Sequence, residues 1–171
     1  MPRLSACVVL ALSMFAAPVS IAQASWSTLT NASGHFTVDL PVTPQVTEKS
    51  DTTPGGQMKM TQAVSMIDDD HMIVVIGMDM SQITSTSTDD EVIENALAGG
   101  FVQAGLSKDT ETNFAWKGAT GRAYSAHSDL ISTRGRIFLV NHHVALVGCF
   151  LTNGKSDVAE CDRVLNSIAF Q

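Results

Sequence analysis

Eight methionines occur in the chain, and six of them fall between Met58 and Met80: Met58, Met60, Met66, Met72, Met78 and Met80. Met58-Lys59-Met60 and Met78-Asp79-Met80 are Met-x-Met pairs. A thioether is a soft donor that selects Cu(I) or Ag(I) over harder cations. Gln57 to Ile67 and His71 to Met80 read as two strands, and within each the methionines share parity, so each set points to one face. If Asp68-Asp69-Asp70 is a three-residue loop with Ile67 opposite His71, then Met66 faces Met72, Met60 faces Met78 and Met58 faces Met80. One reading of this face is a soft-metal site. Another is core, because Val64, Val74 and Ile76 share the face and methionine fills irregular gaps. The other face carries Lys59, Thr61, Ser65 and Asp79, which suits solvent. That leaves the Met face as the hairpin's one apolar side and favours core packing. A third reading is an adaptable surface for a hydrophobic ligand or partner.

The remaining chemistry-bearing residues form no spacing signature. His35, His71, His127, His142 and His143 show no His-x-x-x-His or His-Glu-x-x-His pattern, and no Cys-x-x-Cys occurs, so no zinc site is read. His142 and His143 would point to opposite sides of an extended segment. Asp68-Asp69-Asp70 lacks the Asp-x-Asp-x-Asp-Gly spacing and closing Glu of a calcium loop and reads as a solvated turn. There is no Gly-x-Ser-x-Gly elbow. Gly154-Lys155-Ser156 lacks the earlier glycine that a phosphate loop needs. An enzyme would have to assemble a scattered site, built on His127 or His143. No catalytic residue, resident cofactor or enzymatic activity is expected.

A chain of 171 residues suits one domain. Apolar residues make up 44% and charged residues 16%, which excludes a disordered or coiled-coil chain. The net charge of −7 speaks against nucleic acid or an anionic membrane surface as partner. Arg3, the apolar stretch Leu4–Ala17 and the small-residue exit Ala22-Gln23-Ala24 make a secretory signal over residues 1–24, with a retained anchor as the alternative. Leu4-Ser5-Ala6-Cys7 spells a lipobox but precedes the apolar stretch, so lipidation is not expected. The mature chain would be periplasmic or secreted, without a transmembrane anchor. In that setting Cys149 and Cys161 are expected to form one disulfide, the alternative being two buried thiols. Asn31-Ala32-Ser33 is a sequon that matters only in a eukaryotic secretory pathway.

The elements that must position these residues follow from pattern. Residues 25–34 read as a loose leader, His35 to Leu40 as a strand stopped by Pro41, and residues 47–56 as a polar loop. Thr88 and Glu91 form a capping box for a helix running to about Ala104, with Val92, Ile93, Ala96, Leu97 and Phe101 on one stripe and Gly105 as its stop. Gly99-Gly100 weakens that helix or admits a close neighbour. Thr110–Trp116, Arg122–His127, Arg134–Val140 and His143–Leu151 read as strands. Ser156 caps a last helix with Val158, Cys161, Leu165 and Ile168 on one stripe. Strands this close in sequence pair antiparallel. The expected architecture is α+β over residues 25–171: a curved antiparallel sheet of about six to seven strands, a central inserted helix and a C-terminal helix.

Gly34-His35-Phe36-Thr37-Val38-Asp39-Leu40-Pro41, with Pro44 behind it, resembles the opening of PsbP-like domains. Gly118-Ala119-Thr120-Gly121-Arg122 is similar to the turn that leads their later strands, and Ser167-Ile168-Ala169-Phe170 to their ending. The resemblance covers nearly all of residues 26–170. It implies a PsbP-like α/β sandwich and a non-catalytic role. Relatives include an extrinsic subunit of photosystem II, Ran-binding proteins of nuclear transport and small bacterial envelope proteins, all of which act by binding other macromolecules. The expected function is therefore a small exported binding or accessory protein, working through a protein partner or a small ligand.

Overall fold

A computed structural model describes residues 26–53, 55–84, 86–155 and 159–171. The expected signal at 1–24, Cys7, and the Ser156 cap with Val158 lie outside the described residues. In chain order the elements are β1 (Ser27–Asn31), β2 (Phe36–Leu40), β3 (Gln45–Thr53), β4 (Gly56–Met66), β5 (His71–Asp79), α1 (Asp89–Ala104), β6 (Ser107–Trp116), β7 (Ala119–His127), β8 (Ile131–Val140), β9 (His143–Thr152), α2 (Ala159–Ser167) and β10 (Ala169–Phe170).

Seven strands form one sheet in the order β3-β4-β5-β9-β8-β7-β6, every pair antiparallel. The arrangement is the expected α+β fold. A second sheet, β1-β2-β10, was not expected. Residues 27–31 are a strand rather than a leader: β1 pairs residue by residue with β2. Residues 45–53 are a strand rather than a loop, in register with β4 along their whole length. β3 is an edge strand exposed on both faces, so it carries no apolar alternation to read. Glu48 and Lys49 on it discourage edge-to-edge pairing.

The central strands of the large sheet are covered on both faces. On one, Ala63, Ile73, Val75, Phe138, Ala145 and Val147 pack against Phe36, Val38 and Leu40 of the small sheet and Cys161, Val164, Leu165 and Ile168 at the C-terminal end. On the other, Met60, Val74, Ile76, Met78, Tyr124, Ile137 and Val144 pack against Ile93, Leu97 and Phe101 of α1. The expected solvent face of the β4–β5 hairpin is therefore an interior one. Thr61 and Ser65 are buried there because each finds a partner: Ser65 Oγ donates to the Val42 carbonyl at 2.8 Å, and Thr61 Oγ1 shares a hydrogen bond with Ser33 Oγ at 2.8 Å. Polar side chains buried in pairs look like surface residues in a sequence.

α1 begins and ends where its caps dictate. Thr88 accepts from the Glu91 N–H, Glu91 Oε2 accepts from the Thr88 N–H at 2.8 Å, and Gly105 closes the helix at φ 64°. Two hairpins turn on two residues of positive φ, Lys117-Gly118 and Asn141-His142, between the paired Trp116/Ala119 and Val140/His143. Cys149 on β9 is bonded to Cys161 on α2, joining helix to sheet as expected. A loop of that size is worth about 3 kcal/mol in the chain-entropy model.

Candidate functional site

The register between β4 and β5 is the expected one. Met66 lies opposite Met72 and Met60 opposite Met78. The ladder between these strands ends at Lys59 and Asp79. Met80 is nevertheless held in line, because its N–H donates to the His142 carbonyl at 3.0 Å. The six methionines divide into two groups. Met60 and Met78 are 7% and 3% exposed, in the core with α1, and Met58 and Met80 sit half-buried at their edge. At the other end Met66 is 45% exposed and Met72 half-buried.

Met66 heads an apolar row across the sheet. Met72 is opposite Met66, and Phe150, half-buried, is opposite Met72. The loops at this end are tied together. Thr152 N–H donates to the Asp70 carbonyl and Asn153 N–H to the Leu130 carbonyl, each at 2.9 Å. Leu130 is 76% exposed. Asp70 pairs with Lys155 at 2.7 Å, and this contact holds the Asp70 carboxyl below and the Lys155 ammonium above their usual ranges. Asp68 bonds His71 Nδ1 at 2.7 Å. The acidic triplet thus forms a turn, as expected, and its flanking apolar side chains are what stand out.

The two histidines offered as a scattered catalytic site are not brought together. His127 is in line with Ser132 and, through it, Leu151, whereas His143 starts β9 opposite Val140. Eight residues of strand separate the two rows, about 26 Å. His127 Nδ1 meets Asp109 at 2.6 Å on the surface. His143 is buried, bonds the Ser33 carbonyl through Nδ1 at 3.0 Å and stacks on His35 with ring centroids 3.9 Å apart. A carbonyl only accepts, so Nδ1 of His143 carries the proton. This pairing joins positions 108 residues apart in sequence and had no local signal. Among the described residues, no group of three or more His, Cys, Asp or Glu could hold a metal ion.

A second arrangement had no local signal. Arg136 donates to the Leu165 carbonyl at 2.7 Å and stacks over Phe114 and Trp116. Trp116 Nε1 and Lys117 Nζ both donate to the Ile168 carbonyl, at 2.9 and 2.8 Å. The last turn of α2 has no basic residue of its own, so β8 and the β6–β7 turn supply the positive charge its carbonyls favour. This clasp fastens α2; its donors are already engaged.

No family model matches the chain, and no curated protein sequence does. Solved structures do. First, the fold is that of PsbP-like α+β sandwiches. The similarity is to the solution structure of cyanobacterial PsbP (CyanoP) from Synechocystis sp. PCC 6803, at TM-score 0.58 and 11% identity, covering 91% of this chain and 98% of that one. A protein of unknown function from Pseudomonas aeruginosa, PA94, described as a putative regulator, matches at TM-score 0.38 and 9% identity over 75% of this chain and 83% of that one, too distant to argue from. The motifs that resemble PsbP-like domains have structural duties here. A Cβ on Gly121 would strike the Ile137 carbonyl oxygen, and Ser167 Oγ accepts from the Asp39 N–H at 2.8 Å.

Proposed function

We propose that this chain is an exported, non-catalytic accessory protein that binds a protein partner through the apolar end of its large sheet. The observation that carries the reading is the row Met66, Met72 and Phe150, large apolar side chains left partly open at the end of the sheet where exposed Leu130 also stands in the β7–β8 turn. Exposed apolar groups clustered at one end, rimmed by polar residues, mark interaction surfaces in soluble domains. The PsbP-like fold supports an accessory role by analogy of fold alone. Export rests on residues 1–24 and is supported by the Cys149–Cys161 disulfide, which belongs to oxidising compartments. Among the described residues no helix is long and apolar enough to cross a membrane.

A photo-crosslinking amino acid placed at residue 66 or 130 tests the reading in cells that make the protein. A discrete adduct is expected from both positions and none from residue 102, where Val102 is 80% exposed on α1. With the crosslinker at residue 66, Leu130→Asp should remove most of the adduct, and with it at residue 130, Met66→Asp should, each leaving the melting temperature unchanged. Equal labelling from residue 102, or no adduct from any position, overturns the proposal. The intact mass of the recovered chain, expected to begin at Ser25, tests signal removal separately.

A further inference from the structure

The four methionines at the opposite end of the hairpin are not needed for the partner surface, and core packing alone does not explain them. β8 and β9 supply the same interior face with Ile137, Leu139, Val144 and Leu146. Those residues have defined rotamers, which a core prefers to flexible thioethers. Yet all methionines after Met14 are confined to residues 58–80. The register makes the confinement chemical. Met60 is directly opposite Met78, so their Cβ atoms are about 5 Å apart. Met58 and Met80 come two residues further along the same face of each strand, the second pinned by its bond to His142. Four unbranched, flexible side chains therefore share one face at one end of the hairpin, all within the same core cluster.

Burial within this group is graded. Met60 and Met78 lie in the core, where their sulfurs are screened from water, and Met58 and Met80 are half-buried and open a route to solvent. The chain after Met80 folds back over the β3–β4 turn: Thr84 N–H donates to the Gly55 carbonyl at 2.9 Å, and the Gln82 carbonyl rests against Gly56 so closely that no Cβ fits there. At the rim, exposed Lys49 is opposite Met60 and exposed Asp51 opposite Met58, so the charged neighbours on β3 balance. Neutral, polarisable sulfur donors bring no charge to offset a dication, and they match a soft monocation.

We propose that Met58, Met60, Met78 and Met80 form a binding site for one monovalent soft cation, Cu(I) or Ag(I). The site is independent of the partner surface, which uses Met66 and Met72. The test is Ag(I) titration of the disulfide-intact protein carrying 13C-methyl methionine, followed by NMR, with Cu(I) affinity measured against a chromophoric chelator. At one equivalent of Ag(I) the methyl signals of Met58, Met60, Met78 and Met80 should shift and saturate, and those of Met66 and Met72 should stay in place. Met58→Leu with Met80→Leu should weaken Cu(I) binding at least tenfold with the metal-free melting temperature unchanged, and Met66→Leu with Met72→Leu should leave affinity as it was. Absence of shifts at one equivalent, equal shifts at all six residues, or undiminished affinity in the first variant overturns the proposal. Should the double variant fail to fold, Met80→Leu alone, at the edge of the core, and the methyl map carry the same decision.

Discussion

Tyr124 is the single tyrosine, and its ring lies in a slot made by what two other residues lack. It is opposite Gly135 on β8, and Gly135 is opposite Gly148 on β9. A Cβ on Gly148 would stand 2.7 Å from the Tyr124 hydroxyl, and one on Gly135 would also run into the Val147 carbonyl. Gly148→Ala should therefore cost about 2 kcal/mol, the usual scale of overpacking. Tyr124→Phe removes the atom that the new methyl meets, so the double variant should be more stable than the two single changes predict by about 1 kcal/mol. Denaturant unfolding of the four proteins measures that coupling. Gly135→Ala should show far less rescue, because backbone stands in its way. Burial also pushes the Tyr124 phenol above its ordinary value near 10. The sign follows from that: a pKa raised in the folded state contributes in full below the unfolded value and is lost as pH rises above it. Stability should fall above pH about 10, and tyrosinate absorbance should rise only together with unfolding. A tyrosinate signal in the folded protein near pH 10 would contradict the slot.

At the scale of elements, α1 shows what local signals can say. Its start, stop and buried stripe were all legible, because capping and periodicity act within a few residues. The two roles open for Gly99-Gly100 were not separable in the sequence, since the difference lies in what comes near from elsewhere. Nothing stands within 4 Å of a Cβ at either position, so the glycines weaken the helix without admitting a neighbour. Gly99→Ala and Gly100→Ala should each raise stability by up to about 1 kcal/mol, measurable as a shift in denaturant midpoint at constant slope. A loss at either position would mean that something covers this face. The β4–β5 register was legible as well, from a three-residue turn and a period of two. β3 and β1 were not. β3 is exposed on both faces, and Leu29 is the one large apolar side chain of β1. Thr61 and Ser65 misled for a different reason, their partners Ser33 and Val42 lying in the β1–β2 turn and just after β2, some thirty and twenty residues earlier. For the site, the methionine pairs could be read in the sequence. The open row through Phe150 could not, because β9 joins β5 only in the folded chain.

Strands from early and late in the described chain meet in the small sheet. β2, near the start of the described chain, pairs on one side with β1 and on the other with β10, the last two strand residues. Gln171 N–H donates to the His35 carbonyl at 2.9 Å, and Phe170 meets Phe138 edge-on with ring centroids 5.1 Å apart. Phe138 is wholly buried in the core beneath the small sheet. The short final strand therefore does two jobs: it satisfies one edge of β2 and lids an aromatic of the large sheet. Removing residues 169–171 forfeits an aromatic pair and part of the cover of Phe138, which should cost about 2–3 kcal/mol. In a domain of this size that lowers the melting temperature by about 5–10 °C. Phe170→Ala separates the two jobs, because it keeps the ladder and loses the lid. If the lid dominates, it should account for most of the loss. Hydrogen exchange should then quicken in β1 and β2, while β8 and β9 keep their protection inside the large sheet. Unchanged melting in the truncated chain would mean that the packing of Phe36, Val38 and Leu40, with Asn31, Ser33 and the His35–His143 stack, holds β1 and β2 to the large sheet without help from β10.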